Sequence, residues 1–323
     1  MSTPILIALA VGDARAGAEA DRVDPVSLAA AVTVTEAARE AGVAALRLLD
    51  TVGDSRAIDP SVAGAYLAGR FGDIGYLVDV PTTHNAPYNV ARRVLSFDRA
   101  TAGRVGVVLR PGADDEVSAA IVWDPAADNP VERWSEYAQI LTLLWESFPR
   151  DALIGDQERA IVVDDALIRA IDHEGRFYRV AGPLDGPSSV QGRPVVVAAD
   201  LDVLGWAAVA ESADAVVVDR RQSTGADLAL TATLEQAGRK REDVALIGRA
   251  TVTLSGDDSA RALADELAGW IDHDRLDAVE LVPTGGVDGV LAAVRTLVPL
   301  LPASTGPTLR ASFGLRETAE TLS

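Results

Sequence analysis

The chain contains no cysteine. That excludes a disulfide framework, a thiolate metal site and a cysteine nucleophile. Basic residues are also scarce, 29 Lys and Arg against 48 Asp and Glu, for a net charge of −19. Nucleic acid is therefore not an expected partner, because phosphate neutralisation needs a basic face. No Lys/Arg run argues for a membrane surface, and no apolar run approaches the length of a membrane span. The apolar start, MSTPILIALAVGDARAG, has no basic residues ahead of it, so it reads as a first buried strand rather than a leader. Histidine occurs three times and never at H-x-x-x-H spacing, which leaves no such zinc site. Repeats of solenoid length and low-complexity linkers are missing as well. The acid is dispersed and reads as a solvated surface, and the expected location is cytoplasmic.

What is present is 48% hydrophobic sequence in short β-branched runs that alternate with helical patterns. Alternation of this kind is the signature of a parallel α/β fold. The expected strands are Ile5–Val11, Leu46–Asp50, Ile74–Pro81, Val105–Arg110, Pro194–Ala199, Ala215–Asp219, Val244–Ile247 and Ala278–Val282. The expected helices are Leu28–Ala41, Pro60–Arg70, Tyr88–Thr101, Pro130–Phe148, Leu204–Ser212, Asp227–Ala237, Asp258–Ile271 and Val287–Leu297. Eight such units in 323 residues suggest a single-domain TIM (β/α)8 barrel over residues 1–323. A doubly wound sheet is the alternative, since periodicity does not reveal closure. Ser118–Trp123 is a further short strand expectation.

The most sharply punctuated stretch begins at Asn129. Asn129 can N-cap a helix, Pro130 fits its first position, and Glu132 completes a capping-box pattern. Trp134, Tyr137, Leu141, Leu144, Trp145 and Phe148 recur at helical spacing on one apolar face, and Pro149 stops the helix. A long loop rich in glycine, proline and aromatics follows, and then the apolar run VVVAA.

Three segments of this stretch, RWSEYAQILTLLWESF, IDHEGRFYRVAGPL and QGRPVVV, resemble the bacterial luciferase-like flavin-dependent monooxygenases. The similarity is to the branch of nitrilotriacetate, dibenzothiophene-sulfone and pristinamycin-type enzymes. The segment TTHNAPYNVARRVLSFDRATAGR is similar to the same branch, and so is the closing LRASFGL. The resemblance runs from about Asp50 to Leu315. It implies a TIM barrel that binds reduced flavin mononucleotide (FMN), activates oxygen and acts on a small organic substrate. It further implies a separate flavin reductase as partner and a homodimer. The flavin would do the difficult chemistry, and the protein would supply a dry, oriented pocket.

In such a barrel the site lies at the C-terminal ends of the strands. On the resemblance, Asp50 after the second strand borders the flavin, although a carboxylate there also caps helices. Thr82, Thr83 and Tyr88 after the third strand are expected to bind the cofactor. His84 is the weak catalytic candidate, with a structural role as its plainer reading. The sequence then departs from the branch. Val108 stands where an asparagine would reach the flavin ring, and valine can neither donate nor accept a hydrogen bond. Pro111 and Gly112 replace a Thr-Ser pair. In the phosphate cup, Asp200 replaces glycine, Asp202 replaces serine and Trp206 replaces arginine. Two carboxylates are good helix caps but repel a phosphate dianion. Arg110, the Arg220–Arg221 pair and the Gly285–Gly286 turn are the substitutes to consider, with a solvated surface loop as the plainer reading of the arginine pair. The long insertion of larger relatives before the seventh strand is nearly absent. These losses raise an alternative function: a barrel that has lost flavin and serves as a partner subunit or binds another ligand. A deazaflavin would meet the same acidic cup. An unrelated lyase or isomerase using His84 is a third reading.

Overall fold

The computed structural model describes residues 2–13, 23–52, 55–112, 129–254 and 256–316. Eight parallel strands close into a barrel: β1 Ile5–Leu9, β2 Ala45–Leu48, β3 Gly75–Pro81, β4 Val105–Arg110, β5 Val195–Ala198, β6 Ala215–Asp219, β7 Ala245–Val252 and β8 Ala278–Pro283. Each strand pairs with its neighbours in sequence, and β1 closes the ring against β8, with Ile5 opposite Val279. Closure decides for the barrel over the doubly wound sheet. The helices are α1 Leu28–Glu40, α2 Pro60–Ala68, α3 Pro87–Ala100, α4 Pro130–Glu146, α5 Leu201–Ser212, α6 Ala226–Gln236, α7 Asp257–Asp274 and α8 Gly286–Ala292.

Strand alternation divides the core in two. Outward residues such as Ile7, Leu46, Val78, Val107, Val196 and Leu281 pack under the helices in one large cluster. Inward residues Leu6, Leu77, Val108, Val197 and Ile247 form a second cluster inside the ring. The lower lumen is closed by the C-terminal turn: Leu309, Phe313 and Leu315 join the inner cluster. Thr308 caps that turn, its Oγ1 accepting from the Ala311 amide at 3.1 Å.

Most expected elements form, with shifts that have physical causes. β7 runs to Val252 rather than stopping at Ile247, because Arg249 is an inward strand residue that answers an acid inside the barrel. β2 stops at Leu48, leaving Asp50 in the loop beyond. The helix after β5 begins at Leu201, but Gly205 at φ 71° breaks it before the expected start is fully under way. The Ser118–Trp123 expectation lies outside the described residues.

α4 forms as its punctuation requires. The Asn129 side chain accepts from the Glu132 amide at 3.2 Å. The other half of the box does not appear among the described residues, because the Glu132 carboxylate pairs with Arg176 instead. Trp134 and Trp145 are fully buried, each contributing roughly 2–3 kcal/mol of apolar burial. Their indole N–H groups remain satisfied, Trp134 on the Leu109 carbonyl at 2.8 Å and Trp145 on the Ala91 carbonyl at 2.9 Å. The first of these bonds fixes α4 directly over the end of β4. Phe148 falls beyond the helix and is only half-buried.

Candidate functional site

The upper lumen carries a continuous series of charges. Arg249 on β7 donates to Glu280 on β8 at 3.2 Å. Glu280 also accepts from Arg47 on β2 at 3.1 and 3.2 Å. Arg47 forks onto Asp79 of β3, through Nε at 2.7 Å and Nη2 at 3.2 Å. Asp79 lies 4.0 Å from Arg110 at the end of β4. Arg110 finally donates to Asp200, after β5, at 2.9 and 3.3 Å. Cation and anion alternate through all six residues, so the series is neutral. Arg47, Asp79 and Glu280 are buried, and burial alone would push Arg47 and Glu280 toward their neutral forms. Asp79 and Glu280 outweigh that for Arg47 and raise its guanidinium above the usual value. Arg47 and Arg249 outweigh it for Glu280 and hold its carboxyl below the usual range. Arg110 is likewise raised against its burial by Asp200 and Asp79.

The segment expected to be the phosphate cup has, at Asp200, a backbone conformation suited to glycine. Asp200 adopts φ 62° and ψ 48°, a left-handed conformation that favours glycine. Its carboxylate is tied to Arg110. Asp202 accepts from the Gln222 amide at 3.1 and 3.2 Å. Arg220 pairs with Glu266 at 2.8 Å and stacks over Trp270. That substitute cation is therefore already engaged. A phosphate at this expected cup would meet the carboxylates Asp200 and Asp202, with Arg110 already bound by Asp200. The residues present do not fit the phosphate end of the group.

Beside the mouth, the loop after β3 meets the segment that follows α4. The α4 carboxylate Glu136 organises that segment. It accepts from the Phe177 amide at 3.0 Å, the Tyr178 amide at 2.9 Å and the His173 ring at 3.0 Å. The Tyr178 hydroxyl donates to the Thr82 carbonyl at 3.1 Å, and Tyr137 donates to the Asn85 carbonyl at 3.0 Å. Between the two segments lies a cavity of about 590 Å3 whose lining includes Thr82, His84, Tyr88, Arg133, Phe177 and Arg179.

Of the residues singled out from sequence, Thr82, His84 and Tyr88 thus share one cavity. Asp50 and Thr83 do not line it. Thr82 is buried, and its Oγ1 accepts from the Gly112 amide at 3.1 Å, so the hydroxyl joins two strand ends. Thr83 is buried against Gly112: a Cβ on Gly112 would stand 2.2 Å from the Thr83 hydroxyl. Glycine is required there for close approach. Tyr88 donates to the Pro183 carbonyl at 3.4 Å. His84 is exposed, at φ 61°. Val108 is fully buried in the lower lumen cluster, one inward step below Arg110. The inward residue at the mouth on β4 is Arg110.

Sequence reasoning missed Arg47, Asp79, Arg249 and Glu280. Their signal was a charge at an inward position of an otherwise apolar strand, as in ALRL, YLVDVP and AVELVP. It also missed Arg133, hidden on the apolar face of α4.

The sequence profile of the luciferase-like monooxygenase family matches residues 6–285. The chain belongs to that family. A pristinamycin IIA synthase subunit of Streptomyces pristinaespiralis is 28% identical over 317 residues, covering 98% of this chain and 96% of the relative. Dibenzothiophene-sulfone monooxygenase of Rhodococcus erythropolis is 30% identical over 162 residues, or 50% of this chain and 36% of the relative. The chain spans well under two thirds of the length of several larger relatives of this kind. Among solved structures, EDTA monooxygenase from Chelativorans sp. BNC1 superposes with a TM-score of 0.78 at 19% identity, covering 98% and 99% of the two chains. At that identity the likeness speaks for the fold. No described helix is long and apolar enough to cross a membrane.

Proposed function

We propose that this luciferase-like protein takes part in monooxygenation of a small organic substrate, with reduced FMN and O2 as co-reactants, at the mouth of its barrel. The observation that carries the reading is the match of the luciferase-like monooxygenase family across residues 6–285. A separate flavin reductase is the expected supplier, in keeping with the relative nitrilotriacetate monooxygenase of Aminobacter aminovorans, which is by name one component of a larger system. A homodimer and a cytoplasmic setting complete the proposal. Asp50, Thr82, Thr83 and Tyr88 are the proposed cofactor neighbours and His84 the proposed acid or base. Thr82 supports this less through its hydroxyl, which is already used, than through its place at the strand end.

A second reading has a specific observation behind it. Asp200 and Asp202 occupy the cup, and Asp200 holds Arg110. On that reading the chain is a partner subunit that no longer binds flavin itself. The synthase relative is itself named as one subunit of its enzyme, which is in keeping with this reading.

Anaerobic calorimetric titration with reduced FMN separates the two, run on the parent chain, Asp202→Ser and Asp200→Gly. Tight binding by the parent supports the flavin-binding reading. No binding by the parent, with binding recovered in the variants, supports the partner-subunit reading. No binding by any of the three removes the barrel mouth as a flavin site.

A further inference from the structure

Arg133 is 2% exposed and has no carboxylate partner among the described residues. Its guanidinium donates once, from Nη2 to the Gly112 carbonyl at 2.7 Å. Its Nε is buried without a partner, and no bond to Nη1 is present among the described residues. Arginine cannot shed its charge at accessible pH, and a buried charge without an answering anion is costly. The other deeply buried arginines among the described residues are answered: Arg47 by Asp79 and Glu280, Arg310 by Asp214.

The surroundings repeat the signal. Arg133, Arg179 and His84 line the 590 Å3 cavity, and its described lining holds no Asp or Glu. In a chain with 48 acidic and 29 basic residues this is a local reversal of sign. The contrast with the second cavity, of about 580 Å3, is direct: there Arg193 and Arg239 face Glu136 and Glu211. Phe177, Tyr88, Tyr178, Val180 and Pro183 supply aromatic and apolar wall beside the polar Thr82 and Asn85. The volume lies within the range of small-molecule sites, which combine apolar walls with a few placed polar groups.

We propose that this cavity binds a small organic anion, an apolar or aromatic body bearing a carboxylate or sulfonate, with Arg133 as the charge partner. A planar guanidinium offers paired N–H donors to such a group. The body lies along Phe177 and Tyr178. Glu136 sets the site indirectly, since it accepts from the Phe177 and Tyr178 amides and so holds that backbone in place. The proposal concerns binding alone and does not rest on flavin binding by the same chain.

The test is calorimetric titration with phenylacetate and with phenylacetamide, its neutral counterpart, on the parent chain and Arg133→Gln. The parent should prefer the carboxylate by about tenfold or more, and Arg133→Gln should lose that preference while its melting temperature holds. Phe177→Ala should weaken both probes and leave the preference intact, which keeps the test decisive should Arg133→Gln fail to fold. Equal affinity of the parent for both probes, or no binding of either up to about 10 mM, overturns the proposal. So does a preference that survives in Arg133→Gln. Phenylacetate binding in a chain that rejects reduced FMN leaves this proposal standing and the flavin reading fallen.

Discussion

Buried arginines occur in two neighbouring regions on opposite terms. In the upper lumen, Arg47 sits between two carboxylates at 2.7 to 3.2 Å, and the series continues with alternating sign to the rim. In the side cavity, Arg133 meets one carbonyl and no acid among the described residues. The first arrangement is complete in itself. The second lacks an answering anion among the described residues, which is the place the proposed ligand would take. Buried charge alone is therefore a poor guide to function, and the useful question is whether the protein has already answered it.

The largest effect should come from breaking the complete series. Glu280→Ala leaves Arg47 and Arg249 short of an anion inside the barrel, and is expected to cost about 3–5 kcal/mol. Denaturant unfolding measures this, and a loss near zero would mean that water already serves the lumen. Next comes the seam between the regions, since Gly112 bonds Thr82 through its amide and Arg133 through its carbonyl. Gly112→Ala should cost about 1–3 kcal/mol through its clash with Thr83. Adding Thr83→Ala removes the two nearest atoms, so the pair should be clearly non-additive; strictly additive losses would refute the contact.

Asp98 is the anionic counterpart of Arg133 and sharpens the contrast. It is fully buried, its Oδ1 accepts from the Val105 amide and Gln191 at 2.8 Å, and its Oδ2 has no partner among the described residues. Burial pushes its carboxyl up to about 6, against the lowering pull of its hydrogen bonds. A raised acid favours the protonated folded state. The charged form therefore costs stability above pH 6, and the cost fades as pH falls toward the unfolded value near 4. Asp98→Asn should be more stable than the parent near pH 8, with the gap closing by about pH 4. A gap that is constant with pH would show that Asp98 does not titrate there. An arginine has no such escape, and the smallest effect is expected at Arg133 itself. Without ligand, Arg133→Met exchanges one hydrogen bond for relief of an unanswered charge and should change stability by less than about 1 kcal/mol. A loss matching that of Glu280→Ala would place Arg133 with the structural arginines and erase the comparison.

The barrel was legible because its strands and helices announce themselves through local period, and α4 through its cap, its proline and its apolar face. The candidate site was legible only in part. Thr82, His84 and Tyr88 were found through a motif and do share a cavity. Asp50 was placed by position along the chain and lies apart from that cavity. Val108 looked like a lost ring contact, yet its side chain belongs to the packed lower lumen with Leu309 and Phe313. Arg133 was invisible because it sits among core positions of an amphipathic helix, where a lone arginine reads as a surface residue.

What the sequence determined by itself was the alternation of eight strands and helices, the resemblance to a luciferase-like family and the presence of Asp200 and Asp202 after the fifth strand. These are set by residue type and spacing along the chain. Tertiary structure decided which charges answer one another. Arg47 and Glu280 are 233 residues apart, and they meet only because closure places β8 beside β1 and the inward faces of β2, β3 and β8 around one lumen. The same closure leaves Arg133 over the seam at Gly112 with no acid in reach among the described residues. Charge pairing depends on distance in space, and only the closed barrel fixes that distance.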